Sequence, residues 1–164
     1  MTDGSDKPGY RPNVGAALFD RRGLVFVARR ADMPGAAHPW QLPQGGIDPG
    51  EDARAALLRE VPEEIGTDAF EILAEHPDWL CYDFPPEAQR RFRGRYRGQR
   101  QRWFALRFLG AESTIRLDAH HHPEFDAWRW VPLAEVPALA VPFKRPIYET
   151  IARDFARFAQ PEGK

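Results

Sequence analysis

Short apolar runs along the chain predict its strands. Residues 14–19 and 24–28 are apolar, and the segment between them ends in Gly23, a pattern typical of a β-hairpin. A brief strand is predicted over residues 40–43, followed by residues 44–50, whose glycines and proline predict a loop. Further strand-like runs cover residues 70–74, 79–84, 102–109 and 125–131. We therefore expect one β-sheet of several strands.

Two segments have the periodicity of amphipathic helices. Residues 51–65 place their apolar side chains near one stripe, because successive helical residues turn by about 100°. That stripe consists of Ala56, Leu57, Val61 and Ile65, and Gly66 follows at the position of a helix C-cap. Residues 144–159 form the second helix, with a buried side made of Ile147, Ile151, Phe155 and Phe158. This order predicts an α/β fold with a mixed β-sheet packed between helices.

Composition and charge are those of an ordinary globular protein, with 43% hydrophobic and 29% charged residues and a net charge of −1. A length of 164 residues predicts one domain, which we place at residues 10–160 after a flexible tail over residues 1–9. The single cysteine, Cys81, excludes an intramolecular disulfide, and we expect it to be buried. A polar N-terminus and the lack of an apolar run of about 20 residues predict a cytoplasmic protein that is not membrane-bound.

A carboxylate cluster on the first helix is the main candidate for chemistry. Glu60, Glu63 and Glu64 have the spacing that brings side chains together on one side of a helix. Repulsion among them is relieved by a divalent cation, and oxygen ligands favour Mg²⁺ or Mn²⁺ over zinc. A water-solvated acidic face is the alternative explanation of such a cluster. The preceding glycine-rich loop favours chemistry, because glycines allow the backbone to approach a phosphate.

Residues 45–67, GGIDPGEDARAALLREVPEEIGT, resemble the signature of the Nudix hydrolases, G-x5-E-x7-R-E-U-x-E-E-x-G-U, where U is a bulky apolar residue. The matching positions are Gly45, Glu51, Arg59, Glu60, Val61, Glu63, Glu64 and Gly66. Segments at residues 10–15, 40–46, 123–130 and 143–145 also resemble the bacterial branch described as RNA pyrophosphohydrolases and dinucleoside polyphosphate hydrolases. The resemblance implies the α/β/α sandwich of that family.

Two positions depart from this signature. Thr67 replaces the final apolar residue, which is a mild change. Pro62 lies between Glu60 and Glu63, where proline removes a helical hydrogen bond and costs about 3 kcal/mol. The expectation at this point is a helix that ends early or kinks, which would shift Glu63 and Glu64 relative to Glu60. The signature leaves position 62 free, so the metal site is still expected.

The resemblance also implies a metal site and its catalytic groups. Glu60 and Glu64 are expected to be the principal ligands of Mg²⁺, for which Mn²⁺ can substitute, with Glu63 supporting them. The Gly45 carbonyl and the distant Glu124 are further expected donors. The catalytic set is predicted to be Arg59, Glu60, Glu64 and Glu124. Either Glu60 or Glu124 is the general base, and the sequence does not choose between them.

Substrate contacts are implied at the matching segments. Positive charge around the phosphates is expected from Arg11, Arg30 and Lys144, with Gln44 as a further contact. Phe143 is a candidate stacking platform for a base, although an ordinary core phenylalanine is equally compatible with its sequence.

An arginine-rich segment over residues 90–102 is the strongest local charge feature. Its seven arginines predict either a patch that attracts an RNA backbone or a mobile, solubilising loop. The patch favours an RNA 5′ end over a small nucleotide. By contrast, His120, His121 and His122 cannot all face one ion, so we expect them in a loop.

These features predict an enzyme that removes pyrophosphate from triphosphorylated RNA 5′ ends and leaves a monophosphate. Asymmetric hydrolysis of diadenosine tetraphosphate or related dinucleoside polyphosphates is the alternative. A third hypothesis is a catalytically weak domain that binds RNA or nucleotide, which only Pro62 favours. Nothing indicates a stable protein partner, which leaves a monomer as the working expectation.

Overall fold

A computed structural model describes residues 9–33, 35–91, 94–118 and 123–161, with the side chain of Arg91 excluded. The predicted N-terminal tail therefore lies outside the described residues, apart from Gly9. The loop predicted for the three consecutive histidines, residues 120–122, lies outside them as well.

One mixed sheet of eight strands organises the fold. The strands are β1 (Tyr10–Phe19), β2 (Val25–Arg30), β3 (Trp40–Gln41), β4 (Gln44–Gly46), β5 (Phe70–Glu75), β6 (Leu80–Asp83), β7 (Gly98–Phe108) and β8 (Phe125–Val131). The helices are α1 (Ala53–Ile65), α2 (Pro86–Arg91), α3 (Val136–Leu139) and α4 (Arg145–Asp154). Short 3-10 turns occupy Glu112–Thr114, Leu133–Glu135, Pro142–Lys144 and Ala156–Phe158.

The two longest strands, β1 and β7, run parallel to each other, with Tyr10 opposite Gly98 and Phe19 opposite Arg107. The other described pairings are antiparallel. One edge of β1 carries β2 and β4, while β5 and β6 pair with β7. Strands β1 and β7 lie at the centre of the sheet. Their N-terminal ends therefore lie close to β4, at one end of the sheet.

Each face of the sheet has its own hydrophobic core, because successive strand residues point to opposite faces. On one face, Val14, Ala16 and Leu18 of β1 pack with α1. On the other face, Ala17 and Phe19 pack with α4. The buried side chains of α1 are those predicted from its periodicity, Ala56, Leu57, Val61 and Ile65. The α/β/α sandwich is therefore confirmed.

The predicted hairpin is confirmed, since β1 and β2 pair antiparallel and Gly23 adopts a positive φ of 81° in the turn. The loop predicted for residues 44–50 is wrong at its start. Gln44–Gly46 forms β4, with Val14 opposite Gly45 in the ladder. Backbone bonds from Ala16 N to the Pro43 carbonyl and from Ile47 N to the Pro12 carbonyl extend this contact. A partner strand, rather than local propensity, makes this segment extended.

Pro62 does not end α1 early, so the first of the two alternatives expected at this position is wrong. The helix continues to Ile65, and Gly66 caps it in the left-handed conformation with its N–H donating to the Pro62 carbonyl over 2.9 Å. Burial of Val61 and Ile65 on either side of the proline offsets the lost hydrogen bond. An alanine at position 66 would also place its Cβ 2.7 Å from the Cβ of Arg116, so the glycine is required by packing.

Two further expectations were wrong in detail. The last helix is shorter than predicted, since α4 ends at Asp154 and a 3-10 turn over Ala156–Phe158 follows. Cys81 is exposed, because β6 directs Tyr82 into the core and Cys81 to the opposite face. Across the described ranges, no helix combines the length and apolar character needed to cross a membrane.

Candidate active site

An open cleft of about 640 Å³ lies where β1, β4 and α1 meet. We call it the polar cleft. Six of its lining residues are predicted site residues: Arg11, Arg30, Gln44, Gly45, Glu60 and Glu124. The structure thus brings together groups from five separate parts of the chain, which the sequence alone placed only by resemblance.

Glycines of β4 let the backbone pass close to charged side chains of the polar cleft. A Cβ on Gly45 would collide with the carboxylate of Glu60, and a Cβ on Gly46 would collide with the guanidinium of Arg11. Side chains at these positions would therefore displace one charged group or the other. Glycine is needed at these positions for the close approach of the backbone to charged side chains and not for backbone conformation, since neither glycine has a positive φ.

Arg59 holds the start of α1 and the cleft together. Its guanidinium donates to Glu51 Oε1 and Oε2 over 2.8 and 3.0 Å, to Glu60 Oε1 over 2.7 Å and to the Gly46 carbonyl over 2.9 Å. The bond from Arg59, followed by one from the Asp48 backbone, lowers the pKa of Glu51 to about 2. Arg59 therefore fixes the orientation of Glu60 and does not line the cleft itself.

Glu64 is the most unusual group of the site. It is 8% exposed, and within the described part of the chain neither carboxylate oxygen has a hydrogen-bond partner. Burial, and then repulsion from Glu124 and Glu60, raises the pKa of Glu64 well above its ordinary value. Burial also raises the pKa of Glu60. A buried, unpartnered anion costs several kcal/mol unless a cation compensates it, so these residues fit a divalent metal ion.

The three glutamates of the helix are not equivalent, which corrects the expectation that all three project together. Glu63 is exposed, Glu64 is buried and Glu60 is partly buried, and of these three only Glu60 lines the polar cleft. Among the described residues, no three His, Cys, Asp or Glu side chains are grouped closely enough to hold a metal ion by themselves. Glu60 is already engaged by Arg59, so its free ligand capacity is reduced.

Glu124 reaches the site from the loop before β8. Its carbonyl accepts a hydrogen bond from Ala31 N over 2.9 Å, which ties this loop to the end of β2. Its exposed side chain lines the polar cleft and repels both Glu60 and Glu64. Glu124 is therefore exposed to solvent, whereas Glu64, which it repels, is buried.

A second cavity of about 270 Å³ adjoins the polar cleft and shares four lining residues with it, Arg30, Gln41, Gln44 and Gln99. We call it the apolar pocket. Its aromatic lining consists of Trp40, Tyr82, Phe84 and Phe143. The rings of Tyr82 and Phe143 lie 5.6 Å apart. Flat apolar walls next to a charged cleft suit a nucleobase attached to phosphates.

Lys144 and Arg30 supply the positive charge between the two cavities. Lys144 is buried, and its Nζ donates to Gln41 Oε1 and Gln44 Oε1 over 3.4 and 3.3 Å. Arg30 forms a bidentate pair with Asp32, with distances of 2.9 and 2.7 Å. Both cations are therefore held in position, and Arg30 lines both cavities.

Sequence reasoning missed a network of neutral polar groups between the cavities. Tyr82 OH donates to Gln99 Oε1 over 2.6 Å, and Gln44 Nε2 donates to the same oxygen over 3.2 Å. Gln101 Nε2 donates to Asn13 Oδ1 over 2.8 Å and lies 3.3 Å from Gln44 Oε1. The alternation of glutamine and arginine in GQRQRW was a usable signal, because it assigns the glutamines to one face of β7.

The arginine-rich segment is not one exposed patch in its described part. Arg100 is 1% exposed and lies over the Trp79 ring at 4.8 Å, while Arg102 pairs with Glu75 over 2.5 Å. Arg97 is exposed but pairs with Asp83 at 3.4 Å. Phe92 and Arg93 lie outside the described residues. Neither the single RNA-binding patch nor the wholly mobile loop therefore describes residues 94–102.

Comparison with known proteins gives concordant relationships. The NUDIX domain family model matches residues 9–151. A protein of Acidiphilium cryptum named RNA pyrophosphohydrolase is 66% identical, covering 99% of both chains. One of the same name from Gluconacetobacter diazotrophicus is 56% identical over 98% of this chain and 99% of its own. The E. coli dihydroneopterin triphosphate pyrophosphohydrolase structure has a TM-score of 0.69 at 20% identity, covering 90% of this chain and 99% of that one.

The family match covers the strands, the helix α1 and the polar cleft together. The structural likeness supports the fold, and the identity to the two bacterial relatives extends over the whole length of the chain. Together with the signature positions from Gly45 to Gly66, these findings show that the chain belongs to the Nudix family.

Proposed function

We propose that this enzyme hydrolyses the triphosphorylated 5′ end of RNA, releasing pyrophosphate and leaving a 5′-monophosphate. The observation that carries the proposal is the union of the polar cleft with the apolar pocket, which suits a polyphosphate joined to a base. The name of the relatives that match over nearly the whole chain supports the same substrate. A cytoplasmic location and a monomeric state remain our predictions.

Nudix proteins generally depend on a divalent metal, and we propose Mg²⁺ or Mn²⁺ here, because the available donors are oxygens. Glu64 and Glu60 would hold the ion, and the Gly45 backbone passes close to the Glu60 carboxylate. Such an ion, when bound, neutralises phosphate charge and makes a water more acidic. Glu124 has the position to support this arrangement from the opposite loop.

Side chains of the protein accept the proton of the attacking water and orient the catalytic carboxylate. A carboxylate accepts the proton of the attacking water, and both Glu60 and Glu124 line the cleft where this must happen. Arg59 orients Glu60 through its 2.7 Å bond but touches no substrate position. The water oxygen bonds to phosphorus, the phosphoanhydride bond breaks, and pyrophosphate leaves without a covalent enzyme intermediate.

Substrate orientation follows from the position of the cations and rings. Arg11 and Arg30 line the polar cleft, where they neutralise phosphate oxygens. Lys144 adds charge at the boundary, held by Gln41 and Gln44. Phe143 and Tyr82 then face a base in the apolar pocket. We therefore propose that a nucleotide spans both cavities, with its phosphates near the carboxylates.

The test is a product assay with Mg²⁺ that offers 5′-triphosphate RNA and diadenosine tetraphosphate at equal concentration. Faster release of pyrophosphate from RNA supports the proposal. Faster formation of ATP and AMP assigns the chain to dinucleotide hydrolysis instead. If the folded protein acts on neither but still binds RNA, the enzyme assignment is wrong and a binding module is the better description.

A further inference from the structure

Glu87 carries a role that neither the family signature nor the metal site requires. We propose that Glu87 selects guanine as the base that occupies the apolar pocket. This inference rests on the proposed function, since it assumes that an RNA nucleotide occupies the pocket. Glu87 lies on α2 and lines the pocket together with Phe84, Ala88 and Phe143.

The other acceptor side chains of the pocket are already occupied. Gln99 Oε1 accepts from Tyr82 and Gln44. Gln44 Oε1 and Gln41 Oε1 both accept from Lys144. Among the described lining residues, the side-chain acceptors left without a hydrogen bond are those of His38 and Glu87. The donors on the edge of a bound base are therefore met chiefly by these two side chains.

Glu87 is the discriminating member of this pair. An imidazole is a donor or an acceptor depending on its tautomer, so His38 adapts to any base edge. An ionised carboxylate only accepts, and its two oxygens match two adjacent donors. Guanine offers such a pair, N1–H and the 2-amino group. Adenine, cytosine and uracil each place an acceptor beside their donor, which a carboxylate repels.

The attachment of α2 fixes the position of Glu87. Gln89 Nε2 donates to the Phe84 carbonyl over 2.9 Å, and the backbone N–H groups of Ala88 and Gln89 donate to the Pro85 carbonyl over 3.0 Å. Phe84 itself is buried against the ring of Tyr82, with ring centroids 5.8 Å apart. The helix that carries Glu87 is therefore anchored to the pocket wall through β6, although the glutamate side is exposed to solvent.

The experiment measures kcat/KM for pyrophosphate release from 5′-triphosphate RNAs that differ only in the first or the second base. Wild-type enzyme is expected to favour guanine at one of these positions by about 5- to 150-fold, the range of a bidentate contact. Inosine lacks the 2-amino group but keeps N1–H. Replacing that guanine by inosine should therefore give an intermediate rate.

Two substitutions of Glu87 then test whether this residue causes the preference for guanine. Glu87→Ala should bring the guanine-to-adenine ratio toward one and abolish the difference between guanine and inosine. Glu87→Gln should shift the ratio toward adenine, because an amide donates and accepts side by side as adenine requires. Glu149→Ala is the matched control, since Glu149 is exposed on α4 and lines neither cavity, so its ratio should equal that of the wild type.

The inference is overturned if wild-type enzyme uses all four bases equally, or if Glu87→Ala keeps the guanine preference. Release of no pyrophosphate from any RNA would instead contradict the proposed function. Binding of guanosine, inosine and adenosine monophosphates by calorimetry separates these cases, because it measures pocket selectivity without turnover. Tighter binding of guanosine monophosphate that Glu87→Ala removes would support the inference; equal binding of all three would overturn it.

Discussion

The polar cleft and the apolar pocket share a wall but differ in how their polar atoms are satisfied. Beside the polar cleft, Glu64 is buried without a hydrogen-bond partner in the described structure, and it is repelled by Glu60 and Glu124, which line the cleft. In the apolar pocket, Tyr82 and Gln99 satisfy each other. The carboxylates at the cleft therefore favour a cation, whereas Tyr82 and Gln99 in the pocket wall are paired with each other. The cleft is suited to charge, and the pocket is suited to the ring of a base and to the donors on its edge.

Among the predicted changes, removal of the buried charge of Glu64 should have the largest effect on activity. Glu64→Gln is expected to lower kcat for RNA by roughly a thousand-fold, because a lost metal contact forfeits several kcal/mol of charge stabilisation. RNA binding should persist. Glu63→Gln is the matched control, since Glu63 is exposed and should lose only a small part of the activity.

A thermal measurement checks the reason for that loss. Mg²⁺ should raise the melting temperature of the wild type, because it binds only the folded site. The same ion should have little effect on Glu64→Gln, whose metal-free form should melt no lower than the metal-free wild type, since a buried charge has been removed. A wild-type melting temperature that is insensitive to Mg²⁺ would contradict a metal role for Glu64.

The apolar pocket should show a smaller effect, and in KM rather than in kcat. Phe143→Ala should lower kcat/KM for RNA by about 5- to 150-fold, because stacking of a base on an aromatic ring contributes 1–3 kcal/mol. Steady-state kinetics resolve the two parameters. Phe158→Ala provides the comparison, since this partly buried ring packs on the same core but lines neither cavity. Equal kinetic losses in both variants would indicate a purely structural role for Phe143.

The hydrogen bond between the pocket and the wall that it shares with the cleft can be removed by deleting one hydroxyl. Tyr82→Phe removes the 2.6 Å bond to Gln99 while keeping the ring. We expect a loss of about 1 kcal/mol in the free energy of unfolding, measured by urea denaturation. Gln99 keeps its bond from Gln44, so the cleft should retain its activity on RNA. A variant as stable as the wild type would mean that water replaces the hydroxyl.

The smallest effect concerns the ion pair behind the cleft. The bond from Arg59 lowers the pKa of Glu51 to about 2 in the folded protein, below its ordinary value of 4.5. Its contribution to stability is therefore fully present above pH 4.5 and lost as the pH falls toward 2. The free energies of unfolding of wild type and Glu51→Gln, measured by urea denaturation, should differ at pH 7 and converge only as the pH falls to about 2. A difference that stays constant with pH would exclude this ion pair as its source.

Local patterns allowed much of the fold to be predicted. The stripe of α1 and the β1–β2 hairpin depend on residues close in the sequence, and both were correct. β4 was missed because Gln44–Gly46 has no strand propensity of its own and is extended only through pairing with β1. The exposure of Cys81 was missed for a related reason. Alternation gives the two faces of a strand but does not say which face is covered.

The candidate site divides in the same way. Charged residues such as Glu60 and Glu124 were identified because the signature and its flanking segments carry them. Gln99 and Tyr82 were not, since their role exists only where β6 and β7 lie beside β4. The different burial of Glu63 and Glu64 could not be predicted from the sequence either. These two residues are neighbours on the helix, and their burial depends on which other elements pack against each of them.

The parallel pairing of β1 with β7 has a consequence for how the protein is made. During synthesis, every residue of the signature leaves the ribosome before Gly98 does. Gly98 is the first partner of Tyr10 in β7. Until then β1 lacks its longest ladder, and the pocket residues Gln99 and Phe143 do not yet exist. Contacts between distant segments form late, so the nascent chain carries its carboxylates in an unfinished sheet. Catalytic competence should therefore arise only after the C-terminal third has been synthesised.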